Sequence, residues 1–340
     1  MRNWMLGLTA AMVLAPTVSS ATCWEDVGGG WYPAPWWDEA DCLEESNFGS
    51  VTEWRDDSPV SNNGTGRLTA GAGAEATSIS STIDTAIQAV EVLDFAIKEG
   101  SGAIGPQLDI PELSLNVGGS AANLASQITW ELNGPDAMSV TGTVSSGKVT
   151  FSGLSILVSY GPSETYTISA YFNNNTGLTD GATFDLSIDG DTDVIVVSRA
   201  TFGDTSPITN SVTIDVDATK LAFTTQPAGS VSGSTLTTQP VVKAQDAFGN
   251  TDVDFTDTVT LTEASAGTLT GDLDVAAVAG VGTFTDLVYT ATADQQSFVL
   301  TVDDQDGVGT NLPTESANSI TSDVVATALE CLTSAPLGQI

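Results

Sequence analysis

The chain has no histidine, only eight lysines and arginines, and three cysteines in 340 residues. Without histidine there can be no Ser-His-Asp or Cys-His nucleophile and no His-based zinc site, and the commonest general base is missing. The scarcity of basic residues leaves no basic stripe for nucleic acid, and no Gly-rich phosphate-binding loop of the required form is present. Set against 43 acidic residues, the few bases give a net charge of −35 although only 15% of residues are charged. Such a field repels nucleic acid and anionic lipid and attracts cations. Carboxylate-pair hydrolysis needs no histidine. However, every acidic cluster falls in a predicted turn with no cleft-forming element beside it, so the chain is read as non-enzymatic.

Long apolar runs are also missing beyond the first residues. Arg2 and Asn3 precede an apolar stretch from Trp4 to Pro16, and the small residues Thr17 to Ala21 follow. This is the pattern of a signal peptide over residues 1–21 and predicts export. After its removal no run approaches the roughly 20 residues needed to span a bilayer, so no transmembrane segment is expected. In an oxidising compartment Cys23 and Cys42 could close a small loop, the alternative being that both are incidental, and Cys331 is left over.

Residues 22–75 read as an irregular Trp-rich cap and linker. Five of the seven tryptophans lie in it, among them Trp31, Trp36 and Trp37, while Gly28 to Gly30, Pro33 and Pro35 work against a helix or a long strand. Flat rings with a polar edge suit a sugar face, so Trp31, Trp36 and Trp37 are the glycan-binding candidates. The plainer reading is a cap that packs onto the first domain. Residues 66–78 are small and polar and read as a linker or a loose edge strand. Between Thr82 and Glu99 the signals conflict: Ile83, Ile87 and Val90 have helical spacing, whereas Leu93, Phe95 and Ile97 alternate as in a strand. A strand is expected.

From Gly100 onward the period is two. Ile128, Trp130 and Leu132 alternate with polar residues, as do Ile156, Val158 and Tyr160, then Tyr166, Ile168, Ala170 and Phe172, then Phe184, Leu186 and Ile188, then Val212, Ile214 and Val216. Turn residues bound each run, and no helical crossover lies between them. The expectation is an all-β chain of tandem antiparallel β-sandwiches, the first over residues 76–217 and the second, immunoglobulin-like, over 218–325. The phrase Asp215-Val-Asp-Ala-Thr-Lys-Leu-Ala-Phe223 returns in degraded form as Asp323-Val-Val-Ala-Thr-Ala-Leu-Glu-Cys331, an offset of 108 residues. That offset sets the period of a repeat array. Residues 326–340 then read as the truncated start of a further repeat, and the chain as the N-terminal part of a longer protein.

Four further stretches carry a resemblance: Ala218 to Pro227, Pro240-Val-Val-Lys-Ala-Gln-Asp-Ala-Phe-Gly-Asn250, Thr258-Val-Thr-Leu-Thr262, and Ala279-Gly-Val-Gly-Thr-Phe-Thr-Asp-Leu287. Together they resemble the Ig-like repeats of invasin/intimin-type bacterial surface proteins. The resemblance covers about a third of the chain and implies a secreted or cell-surface stalk or adhesin-like role. It implies no ligand, because many repeats in such arrays are spacers, and a surface protein or a glycan is the partner expected on separate grounds. A secreted carbohydrate-binding protein that uses the N-terminal tryptophans is the alternative. Calcium is the candidate cation. Asp189, Asp191 and Asp193 lie two apart as in a calcium loop, but Val194 and Ala200 stand where an EF-hand needs Gly and Glu. Asp303, Asp304 and Asp306, and Asp252, Asp254 and Asp257, are further oxygen clusters near the module ends.

Overall fold

The computed structural model describes Trp24–Asp26, Trp31–Pro33 and residues 65–100, 107–198, 200–203, 206–304 and 311–325. The signal-peptide segment, Cys23, Cys42, Trp36, Trp37, Asp306 and residues 326–340 lie outside the described residues. The chain divides into two compact units, residues 1–63 and 64–340. In the first unit, Trp24–Asp26 pairs antiparallel with Trp31–Pro33, which puts the backbone of Trp31 in a short hairpin strand.

The second unit holds two hydrophobic cores and is nearly all strand. The first core lies between two sheets. One sheet runs in the order Ser78–Ser80, Ile208–Asp215, Thr183–Ile188, Leu108–Gly118, Lys148–Val158, Thr143–Ser145, with Val194–Ile195 also on Leu108–Gly118. The other runs Thr201–Phe202, Thr65–Ala70, Val90–Glu99, Glu164–Phe172, Ile128–Gly134, Ala137–Thr141. The alternation read from sequence is the alternation of burial for most runs: Tyr166, Ile168, Ala170 and Phe172 point into the core, as do Phe184, Leu186 and Ile188. Tyr160, read as continuing Ile156 and Val158, instead lies past the end of Lys148–Val158 and is exposed. Trp130 is wholly buried, donates from Nε1 to the Ala125 carbonyl at 3.0 Å, and meets Phe184 edge-on at 5.8 Å. A buried indole with its N–H satisfied adds area without a desolvation cost.

Three local expectations need adjusting. Thr65–Ala70 is a full partner of Val90–Glu99, so the first sandwich takes in residues assigned to the linker. Most pairs are antiparallel, but Thr201–Phe202 on Thr65–Ala70, Ser78–Ser80 on Ile208–Asp215, and Ser230–Val231 on Ile320–Asp323 are parallel. Long connections reach these edges without helical crossovers. The conflict over residues 82–99 resolves as strand for Val90–Glu99 alone, with turns before it and Ile87 fully exposed. That strand is buried without a break from Val92 to Ile97. Its outer face lies under the 71–75 loop, where Gly71 N–H donates to the Asp94 carbonyl and Glu75 Oε1 accepts from Asp94 N–H.

The second sandwich begins with Lys220–Thr225 and ends with Ile320–Asp323. Its core contains Leu221, Val242, Val259, Leu261, Phe284, Tyr289, Phe298 and Val302. Tyr289 stacks on Phe298 with centroids 3.7 Å apart. Val212, Ile214 and Val216 close the first core and Leu221 opens the second, with Phe223 packed against it. Only a few residues therefore separate the two cores. Among the described residues no helix is long and apolar enough to cross a membrane.

Candidate functional site

Side-chain chemistry is concentrated where the two sandwiches meet. The turn Asp246-Ala-Phe-Gly-Asn250 is folded by one carboxylate. Asp246 Oδ1 accepts from Phe248 N–H and Asn250 N–H, each at 2.9 Å, and Oδ2 accepts from Asn250 Nδ2 at 2.7 Å. Gly249 takes φ +90°, which a side chain would resist. With its own turn satisfied, Asn250 also donates from Nδ2 to the Asn175 carbonyl of the first sandwich at 2.6 Å. Asn175 in turn donates from Nδ2 to the Ser81 carbonyl. Both asparagines are buried, so these bonds lie out of water, where leaving one unmade is costly.

A second clasp uses Asp180, in the Thr179-Asp-Gly turn. Its Oδ1 accepts from Val216 N–H at 2.9 Å and its Oδ2 from Val253 N–H of the second sandwich at 2.8 Å. Asp252 holds the start of the second sandwich, accepting from Ala218 N–H at 2.9 Å and Phe255 N–H at 2.8 Å. One carboxylate oxygen each from Asp180, Asp252 and Asp254 lies within 4.8 Å of the others. Burial pushes the Asp252 carboxyl up from its ordinary pKa, as does a hydrogen bond with Asp254. Asp215 is pushed up by burial and then by the charges of Asp217, Asp180 and Asp252. The joint is thus a set of like charges held in place by backbone N–H donors. Oxygen donors at this spacing suit a hard divalent cation, but both oxygens of Asp180 and of Asp252 already accept protein hydrogen bonds.

The acidic residues singled out from sequence are placed differently. Asp189 caps the short helix Gly190–Asp193 and accepts from Asp191 N–H. Asp191 is exposed, and its hydrogen bond to Asp189 pushes its carboxyl up. Asp193 is buried. Its oxygens are taken by Lys148 Nζ at 2.6 Å, Asn116 Nδ2 at 2.6 Å and Asp189 N–H at 3.0 Å. Asp303 sits in the ladder opposite Thr260, and both oxygens of buried Asp304 face Leu312 N–H at 3.2 and 3.1 Å. Asp257 stands apart from the joint cluster, since the group that converges there is Asp180, Asp252 and Asp254. Asp180 was not singled out from sequence. Its only local signal is an Asp-Gly turn, and the residues it binds are 36 and 73 positions away.

No family model matches the chain, and neither does any curated protein. Solved structures overlap with it at low scores. A β-glucuronidase of Parabacteroides merdae matches at 8% identity over 76% of this chain and 24% of the enzyme, with a TM-score of 0.22. The adhesin InvE of Yersinia pseudotuberculosis matches at 12% identity over 77% of this chain and 59% of the adhesin, at 0.23. The C-terminal domain of the AgI/II polypeptide BspA of Streptococcus agalactiae matches at 8% identity over 76% of this chain and all of that domain, at 0.27. The chain therefore spans less than two thirds of the enzyme and of InvE, and overlaps of this size carry no argument about activity.

Proposed function

We propose that the chain is a non-catalytic structural module of an exported or cell-surface protein, with two sandwiches coupled as a stiff spacer. The observation that carries this reading is the Asn250 clasp, a buried carboxamide that folds its own turn and is bonded to the neighbouring sandwich. A flexible linker between independent domains has no use for buried polar bonds across the joint, because buried donors and acceptors cost stability whenever they part. The Asp180 bond to Val253 N–H supports the same reading from the other side of the joint. Cell-surface placement rests on the leader-like N-terminus and on the acidic, base-poor composition, which suits a solvated exterior.

Small-angle scattering of the two-sandwich region tests the coupling. A single rigid arrangement should fit the wild-type curve, and Asn250→Ala together with Asp180→Ala should require an ensemble. A wild-type curve that itself needs an ensemble of inter-sandwich angles would rule the spacer out. Antibody labelling of intact cells tests placement, with labelling confined to lysed cells counting against it.

A further inference from the structure

Lys148 and Asn116 are direct partners in the ladder between Lys148–Val158 and Leu108–Gly118, so their side chains leave the same face of the sheet. Their neighbours Val149, Leu115 and Val117 fill the core, which turns this pair outward. There the turn of helix Gly190–Asp193 brings a carboxylate onto both. Lys148 Nζ donates to Asp193 Oδ1 at 2.6 Å, and Asn116 Nδ2 donates to Oδ2 at 2.6 Å. Asp189 N–H adds a bond to Oδ2 at 3.0 Å, and Asn116 Nδ2 also lies 3.4 Å from the Ser187 carbonyl. The Asp193 side chain is 1% exposed and that of Lys148 is 45% exposed. The carboxylate is therefore shielded while the amine stands at the mouth of the site. An amine, a carboxamide and a shielded carboxyl group that touches both are the reactants and the proton carrier of a transamidation. The strand register holds them together, so the encounter is intramolecular.

We propose that Lys148 and Asn116 become joined by a side-chain amide bond, with Asp193 as the catalytic group. The Lys148 ammonium gives one proton to Asp193, which leaves a neutral amine beside a neutral carboxylic acid. The Nζ lone pair attacks Asn116 Cγ and the Cγ–Nζ bond forms. As the adduct collapses, Asp193 passes the proton it took to Nδ2 and then carries a second from Nζ to the same nitrogen, the Cγ–Nδ2 bond breaks, and the departing nitrogen leaves as ammonium. Asp193 ends as the carboxylate it began as and can accept a hydrogen bond from the new amide N–H. Nothing is oxidised or reduced and no co-reactant is needed. The chain loses one ammonia in mass relative to the neutral side chains, and one positive charge. The bond would close the loop between positions 116 and 148 covalently, which removes conformations from the unfolded chain.

The test is intact-mass measurement of the purified, denatured chain together with peptide mapping after digestion with a glutamate-specific protease, which cuts at Glu112, Glu131 and Glu164 and so separates Asn116 from Lys148 in the backbone. Wild type should be lighter than its sequence by one ammonia and should yield a branched peptide joining the Asn116 and Lys148 segments. Lys148→Arg, which keeps the charge, and Asp193→Asn should both give the full sequence mass. Circular dichroism on each variant establishes that it is folded. A wild-type mass equal to the sequence mass overturns the proposal and leaves only an ion pair. Loss of ammonia without the branched peptide also overturns it, since ring closure at an Asn-Gly step has the same mass effect. Neither result touches the spacer reading, which rests on the joint between the sandwiches.

Discussion

Asn250 is where local and long-range structure depend on the same atoms. Its Nδ2 group serves the Asp246 carboxylate within the turn and the Asn175 carbonyl across the joint. Asn250→Ala leaves both acceptors buried without that donor, and losing a buried partner costs about 1–3 kcal/mol per group. The variant should lower the urea midpoint of the two-sandwich region by that order. Asn250→Asp should do no better, because it places a carboxylate against Asp246. The carboxyl groups at the joint make a second prediction. Burial raises the folded-state pKa of Asp252 and of Asp215 above their ordinary 3.8. A carboxyl that holds its proton more tightly when folded contributes its stability at low pH and loses it as pH rises through the folded value. From these two groups, then, stability falls as pH rises from 3.8 through their raised values. Asp294 has the opposite sign: Val324 N–H holds its pKa down, so its contribution is present above the ordinary value and is lost on acidification. Urea midpoints followed across that window should show a shallower decline with rising pH for Asp252→Asn than for wild type. An identical slope would remove Asp252 from the account.

The element that best explains the sequence motifs is the hairpin carrying Ala279-Gly-Val-Gly-Thr-Phe284. Gly280 has φ +73°, and a Cβ there would lie 2.0 Å from the Asp252 carbonyl oxygen; a Cβ on Gly282 would lie 2.4 Å from Val259 Cγ2. The first glycine lets the hairpin close against the joint, and the second lets Val281–Thr283 lie on the core. Gly280→Ala should therefore cost more than the roughly 1 kcal/mol of a left-handed alanine alone, since backbone must also move. Thermal melting should show the loss, and a melting temperature within error of wild type would contradict the packing described. This element also shows how much could be read from sequence. Strand positions and inward faces were legible because period-two alternation reports one-sided burial directly, and the Gly-x-Gly-Thr-Phe and Asp-x-Phe-Gly-Asn motifs stood out. Where burial is two-sided, as at Val92 to Ile97 under the 71–75 loop, alternation gives no guide to what covers the outer face. The joint was half legible: Asp252 and Asp254 lie beside a motif, but Asp180 is tied to them only through contacts 36 and 73 residues away, and local patterns do not encode such contacts. Asp193 looked like one carboxylate of a loop series, while the residues that occupy it, Asn116 and Lys148, come from two other strands.

On the scale of the molecule the governing quantity is the charge of −35. Like charges spread over a folded surface repel each other more than in an expanded chain, so self-repulsion destabilises the compact state and salt relieves it. The joint concentrates the effect, because Asp180, Asp215, Asp217, Asp252 and Asp254 meet there and the described residues provide one Lys–carboxylate ion pair, at Lys148 and Asp193. Raising sodium chloride from about 0.01 to 0.15 M shortens the screening length from about 30 to 8 Å. That falls from well beyond the 4.8 Å spacing of the cluster to a length comparable with it. The melting temperature should rise over this interval and level off beyond it, and a flat response would mean that repulsion is already neutralised at low salt. Screening and site binding separate when calcium is compared with sodium at equal ionic strength. Screening alone moves wild type and Asp254→Asn together. A calcium increment that appears in wild type and vanishes in Asp254→Asn would instead place a bound cation between the two sandwiches, where it would stiffen the same joint that Asn250 already clasps.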